Sequence, residues 1–490
     1  MAEKAYKVNL FQHIFQLAKE SFVYGVASAL SGLAIISLVP LYTRTFSVAE
    51  YGVYSLLQII GSMLTMFSVL GLDSAASRWF FDTLDLQQRK STISTWFWGQ
   101  CLCGCILALL TCALSSKLSG WLSEEKVLKA TPVILMALAI PAGAAGVVFN
   151  GWLRYQRKAF WAVLVSSLQL SLNIGAAFLL VVVLKLGMTG AFLASLLVAG
   201  IISLMGALVM KQYLSPSYFS IKLLKEMLKY ALPLIPAALC LWIMMNMDRI
   251  MLKHYTDEAE VGLYSIAVTI SLGIGLLTTA FCQAWGPFAF SIMHKPEAGQ
   301  VYAKVLDYYA FLGCFAGTGM ALFAPLLLRI FTTEEYYSVA GIVGILSFGT
   351  LLNGARYIAT LGSSIAKKSI PGAISIAIGA IANFGFNLLM IPQWGGWGAA
   401  YGTVLAWLFS VVYLFRASQK HYRIPYRWKA TIYSLSAAVI LILANRLMFG
   451  DGCRWQENLI RAMMLLVFFP LGRFLDLIPA VHLSAWKKIS

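Results

Sequence analysis

Charge is scarce in this chain. Only 12% of its 490 residues are Asp, Glu, Lys or Arg, against 60% hydrophobic, and the mean hydropathy is +0.78. Water cannot solvate so apolar a chain of this size, which excludes a soluble enzyme. Histidine occurs five times (His13, His254, His294, His421, His482), mostly in expected loops or tails. There is no His-Glu-x-x-His, Walker A, nucleophile elbow or Cys-x-x-Cys sequence, so zinc hydrolysis, a built-in ATPase and serine hydrolysis have no residues to carry them. Of the eight cysteines, Cys101, Cys103, Cys105, Cys112, Cys240, Cys282 and Cys314 fall in apolar runs as packing residues, and Cys453 has no partner, so no disulfide framework is expected. The expectation is a protein that is not an enzyme and holds neither cofactor nor metal.

Long apolar runs are what the chain has instead. A span needs roughly 20 apolar residues to cross a hydrocarbon core about 30 Å thick, and these runs are continuous rather than alternating, so they are helices. In the first half they cover 22–42, 53–76, 93–114, 132–153, 160–184 and 190–210. The second half adds 230–252, 261–286, 305–330, 339–362, 370–391, 397–417, 430–449 and 458–478. The fold class is an all-α polytopic membrane protein of about 14 transmembrane helices. The first run lacks a cleavage site and reads as a retained span, preceded by an amphipathic interfacial segment at 1–21.

A net charge of +17 would suit nucleic-acid binding, but its placement argues against that. The basic clusters Arg89-Lys90, Arg154/Arg157/Lys158, 211–229, Lys367-Lys368 and 416–429 fall on one expected side, whereas the acidic pairs Glu124-Glu125, Asp257-Glu258 and Glu334-Glu335 fall on the other. This is the positive-inside pattern, and it puts both termini in the cytoplasm.

The chain also resembles itself at an offset of about 210 residues. Glu50-Tyr51-Gly52-Val53-Tyr54-Ser55 matches Glu260-Val261-Gly262-Leu263-Tyr264-Ser265, Asn173 matches Asn383, and Gly187–Ala191 matches Gly395–Ala399 with a slip of two. Two six-helix bundles, 22–210 and 230–418, follow from this. A cytoplasmic linker at 211–229 joins them, and two additional helices with a tail occupy 419–490.

The run Thr43-Arg44-Thr45-Phe46-Ser47-Val48-Ala49-Glu50-Tyr51-Gly52-Val53-Tyr54 resembles the first-loop signature of the Wzx-type polysaccharide flippases, within the multidrug/oligosaccharidyl-lipid/polysaccharide exporter superfamily. Leu232-Pro233-Leu234, Asp248-Arg249 and Val261-Gly262-Leu263-Tyr264 resemble its second signature. The resemblance implies two bundles around a central cavity. It further implies export of undecaprenyl-pyrophosphate-linked oligosaccharide across a bacterial inner membrane for O-antigen, lipopolysaccharide, capsule or exopolysaccharide synthesis. The partners it implies are the lipid-linked oligosaccharide, membrane lipids, and polysaccharide polymerase and chain-length proteins.

Ionisable groups within spans cost several kcal/mol unless they meet protein or water, so each is a candidate site. Arg356 lies well inside its span and shares a face with Asn353 and Thr360; its fixed donors suit a pyrophosphate, with pairing to a carboxylate as the structural alternative. Arg249 adjoins Asp248 and shares a face with Trp242, Asn246 and Lys253, while Arg44, Arg446 and Arg461 lie where snorkelling to headgroups would explain them. Asn173 and Asn383 would bind sugar hydroxyls or join helices. Asp73, following a stripe of Tyr54, Gln58, Gly61, Thr65 and Ser68, and Asp248 are the candidates for coupling to an ion. The competing reading, an ion-coupled multidrug antiporter of the same superfold, needs acidic lumen residues, and this chain has more arginine than aspartate in its spans.

Overall fold

The computed structural model describes residues 36–123, 129–450 and 452–477, and within them all regular structure is helical. The segment 1–21, most of the first apolar run, Glu124-Glu125 and the end of the tail lie outside the described residues. Residues 36–43 are helical and precede α1 (Val48–Val69), α2 (Leu72–Asp82), α3 (Leu86–Ala113), α4 (Ser115–Leu122), α5 (Ala130–Tyr155), α6 (Ala159–Ala177) and α7 (Gly187–Val209). There follow α8 (Ile221–Ala231), α9 (Ile235–Tyr255), α10 (Glu258–Ser291), α11 (Ala298–Phe331), α12 (Ala340–Ala359) and α13 (Leu361–Ile365). The last elements are α14 (Ile370–Gln419), α15 (Lys429–Phe449), α16 (Trp455–Leu465) and α17 (Phe468–Phe474).

Eleven helical segments are long and apolar enough to cross a membrane among the described residues, against the fourteen runs expected. Part of the difference is α14, whose 50 residues hold two of those runs. At about 1.5 Å per residue it would be far longer than a bilayer is thick. It is instead interrupted at Gly395 (φ 52°, ψ −130°), a conformation that favours glycine, and Ser375 and Ser410 from its two arms share hydrogen bonds of 2.8 and 2.9 Å. It is a helical hairpin, and the glycine-rich stretch Gly395–Gly398 is its corner. The run at 458–478 is divided between α16 and α17, of 11 and 7 residues, each too short to span alone.

The second span also bends. Leu70 (φ 50°) and Gly71 (φ 67°) separate α1 from α2, and the segment Val48–Asp82 continues past the break. Pro233 and Pro236 sit where the amphipathic α8 passes through a short 3₁₀ turn into α9, and a missing N–H is tolerated there.

Two compact units cluster. The first holds the described residues up to Ile266 together with Asn383–Ala399; the second holds Ala267–Ala382 and the chain from Ala400 onward. In the first, aromatic and aliphatic side chains of α2, α3 and α5, including Phe80, Trp96, Phe149 and Trp152, make a core onto which Met227 and Ala231 of α8 close. The connection before α8 is fastened to α3: Ser91, Ser94 and Trp98 donate to the carbonyls of Tyr218, Ser215 and Leu214 at 2.9–3.0 Å. In return, Thr95 accepts from the Ser220 amide. The linker is thus anchored along one helix, so its backbone groups are satisfied there.

In the second unit Arg461 is wholly buried rather than snorkelling. It donates to Asn445, Asn458 and the Gly452 carbonyl at 2.8–2.9 Å, pinning the α15–α16 corner.

Candidate functional site

In the first unit the polar groups gather on α1, α9 and the start of α10. Asp248, on α9, is buried and accepts from the Tyr264 hydroxyl at 2.5 Å and from the Arg249 amide at 2.8 Å. The Arg249 guanidinium stands off that carboxylate, Nε to Oδ1 being 3.7 Å, and turns instead to the Met245 carbonyl and the Asn246 amide oxygen. Asn246 donates to the Trp242 carbonyl, and Trp242 Nε1 donates to Ser62 of α1 at 3.0 Å. One turn away, the exposed Gln58 donates to Tyr54. A hydrogen-bonded polar track therefore runs along α1 and α9, using the three- and four-residue spacing of one helical face. Lys253, on the same helix, is committed to Glu258 at 2.6 Å.

The remaining candidates of this unit have separate surroundings. Asp73 is exposed in the first turn of α2, and its carbonyl accepts from Tyr155. Asn173 donates to the Gln169 carbonyl of its own helix at 3.0 Å. Asn383 is buried and accepts from Asn387 at 3.2 Å, leaving Asn387 Oδ1 buried without a hydrogen-bond partner among the described residues.

In the second unit a cavity of about 310 Å³ is lined by Thr278, Thr279, Cys282 and Gln283 of α10 and by Asn353, Gly354 and Tyr357 of α12. Gly354 lets these helices close, because a Cβ there would overlap the Tyr309 hydroxyl and crowd Thr278. Arg356 is on the same turn of α12, its guanidinium 5.8 Å from the Tyr357 ring and 5.9 Å from that of Trp407. Its Nε is buried with no hydrogen-bond partner, and no carboxylate pairs with it among the described residues. The pairing alternative therefore has no partner there. Arg356 is not itself among the lining residues; its charge lies by the Tyr357 and Trp407 rings, next in sequence to a wall of neutral hydroxyl and amide groups that suits a hydroxyl-rich ligand.

Asn353 and Arg356 thus come together on one turn, and so do Asp248, Arg249 and Asn246. Tyr264 and the lining from α10 carry no charge that would single them out in the sequence. The signal for the latter is Thr278-Thr279-Ala280-Phe281-Cys282-Gln283, a polar interruption of an otherwise apolar span.

The described residues thus form a many-spanning helical membrane protein that carries polar groups inside its spans. Its family is defined by sequence: residues 41–341 match the model of the polysaccharide biosynthesis protein family, and the chain belongs to that family. The fold is similar to that of the lipid II flippase MurJ in an inward closed conformation, with a TM-score of 0.77 at 17% identity, covering 93% of this chain and 100% of that one. It is also similar to an inward-facing multidrug resistance MATE family transporter of the MOP superfamily, with a TM-score of 0.64 at 18% identity over 82% of this chain and 94% of that one. At 17–18% identity these likenesses are ones of fold.

Among curated relatives, an uncharacterized membrane protein of Methanocaldococcus jannaschii is 26% identical over 208 residues, 40% of each chain. The probable multidrug resistance protein NorM of Caulobacter vibrioides is 24% identical over 194 residues, 37% of this chain. The match spans about two fifths of the length of each curated relative.

Proposed function

We propose that the chain is a flippase that moves undecaprenyl-pyrophosphate-linked oligosaccharide repeat units across the bacterial inner membrane for surface polysaccharide assembly, O-antigen, capsule or exopolysaccharide. The observation that carries this reading is Arg356: a guanidinium within a span, without a carboxylate and beside a cavity of neutral hydrogen-bonding groups. A charge kept at that depth costs several kcal/mol unless it meets water, protein dipoles or an anion. Pyrophosphate is such an anion, and glycan hydroxyls match Thr278, Thr279, Gln283 and Asn353. Arg249 and Asn246 are a second contact for the substrate, Asn173 and Asn383 supply further amides, and Asp248 or Asp73 couples the cycle to an ion.

In this reading the sequence-repeated bundles 22–210 and 230–418 open alternately to the two sides, both termini are cytoplasmic, and the prenyl tail stays in lipid. Polymerase and chain-length proteins receive the product. The multidrug reading is favoured by the Caulobacter relative's name and by the MATE likeness. It is weakened by the charge inventory, since the buried Asp248 already accepts from Tyr264 and Arg249 and leaves little acidity for a cationic drug. Depletion of the protein in its native cell is the test. Labelled lipid-linked repeat units are expected to accumulate on the cytoplasmic leaflet while surface polysaccharide falls; unchanged polysaccharide with increased drug sensitivity supports the antiporter instead.

A further inference from the structure

A second feature, in the first unit, is unused by this function. Between α5, α6 and α7 lies a groove of about 300 Å³ whose walls include Phe149 and Trp152 of α5, Trp161, Leu164 and Leu168 of α6, and Met205 of α7. Trp161, Leu164 and Leu168 are exposed, so along two turns of α6, about 10 Å of helix, the trough is open to its surroundings. One end differs from the rest. Lys158 lines it, with its ammonium 5.6 Å from the Trp152 ring centre, and Arg154 and Arg157 lie on the same α5–α6 corner. Arg157 takes φ 54° there, and its amide donates to the Arg154 carbonyl. All three cations are exposed, and none pairs with a carboxylate among the described residues. Tryptophans beside Lys and Arg at the end of a span mark the depth of lipid headgroups.

We propose that this groove is a binding site for an anionic phospholipid. One acyl chain fills the trough along α6, and the headgroup phosphate accepts from Lys158, with Arg157 and Arg154 supplying further positive charge. Charge decides the occupant: basic pockets between transmembrane helices select anionic headgroups, because a net negative headgroup offsets the three unpaired cations whereas a zwitterionic one brings a further cation to the same corner. The site lies apart from Arg356 and Asp248 in sequence and element, so it does not depend on the transport reading.

The test uses the full chain purified in detergent, titrated with phosphatidylglycerol or with phosphatidylcholine of the same acyl chains, the first bound lipid being read by native mass spectrometry. Phosphatidylglycerol is expected to bind at least about fivefold more tightly. Lys158→Gln with Arg157→Gln is expected to abolish the preference, Lys158→Arg to retain it, and Trp161→Ala to weaken both lipids. Equal binding of the two lipids, or a preference indifferent to the charge substitutions, overturns the proposal. Displacement of phosphatidylglycerol by equimolar undecaprenyl pyrophosphate also overturns it, by making the groove a substrate site.

Discussion

The hydroxyls of Ser55 and Ser265 lie 2.7 Å apart although 210 positions separate them. That separation is the offset of the internal repeat read from the sequence, so the two hydroxyls in contact hold equivalent positions in it. The glycines three residues earlier meet reciprocally: a Cβ on Gly52 would overlap the Glu258 carbonyl, and one on Gly262 would overlap that of Val48, again its repeat equivalent. Reciprocal contact between equivalent residues is what a local two-fold axis produces. The caps of the two helices match as well, with Ser47 accepting from the Glu50 amide and Asp257 from that of Glu260.

Alanine at Gly52 or Gly262 should therefore destabilise the protein by about 1–3 kcal/mol, because the obstruction is backbone that cannot yield. At Gly175 and Gly200 a Cβ would meet open space, with nothing within 4 Å, and alanine there should be neutral or stabilising by about 0.5–1 kcal/mol. Thermal unfolding of the four variants in one detergent checks the contrast. A double-mutant cycle over Ser55→Ala and Ser265→Ala should give a coupling of about 1 kcal/mol.

Two arginines should respond oppositely to methionine. Arg461→Met strands the Asn445, Asn458 and Gly452 acceptors and should cost about 3 kcal/mol. Arg356→Met removes a charge that no carboxylate balances, and should leave stability unchanged or raise it by up to ~2 kcal/mol while substrate transport falls at least about tenfold. Paired unfolding and transport measurements separate the two roles, and loss of the fold in Arg356→Met would make that residue structural.

Asp248→Asn should preserve expression and folding, because the amide oxygen can keep the Arg249 amide while the Tyr264 hydroxyl turns to accept from the new NH2 group, yet remove any stimulation of transport by an imposed proton gradient. Asp73→Asn, in an exposed turn, should change that stimulation less. Comparing transport with and without the gradient in both variants assigns the coupling residue.

Much of the architecture was legible because its causes are local. Continuous apolar length makes a span wherever it occurs, and the sequence repeat pairs Gly52 with Gly262 and Ser55 with Ser265, the residues that meet in the fold. Pro233 and Pro236 are the local causes of the α8–α9 bend, and Gly395 is that of the α14 corner. The division of 458–478 into α16 and α17 was hidden, since hydropathy averages over a window and registers no break between Leu465 and Phe468. Arg461 shows the other limit. Its position near a span end reads as snorkelling, whereas its three acceptors come from α15, α16 and the turn between them, a convergence that spacing along one helix does not reveal. Arg356 was found because its own cost in a membrane singles it out; the threonines opposite it carry no such cost.

The proposed function requires a lipid-linked glycan to cross the bilayer. Protein reconstituted into vesicles with an undecaprenyl-pyrophosphate oligosaccharide carrying a label, initially accessible on one leaflet, tests it most directly. The label is expected to become protected from an impermeant reagent at a rate that depends on the protein and falls at least about tenfold in Arg356→Ala. Protection no faster than in empty vesicles, with the same protein exchanging protons for a cationic dye, would contradict it.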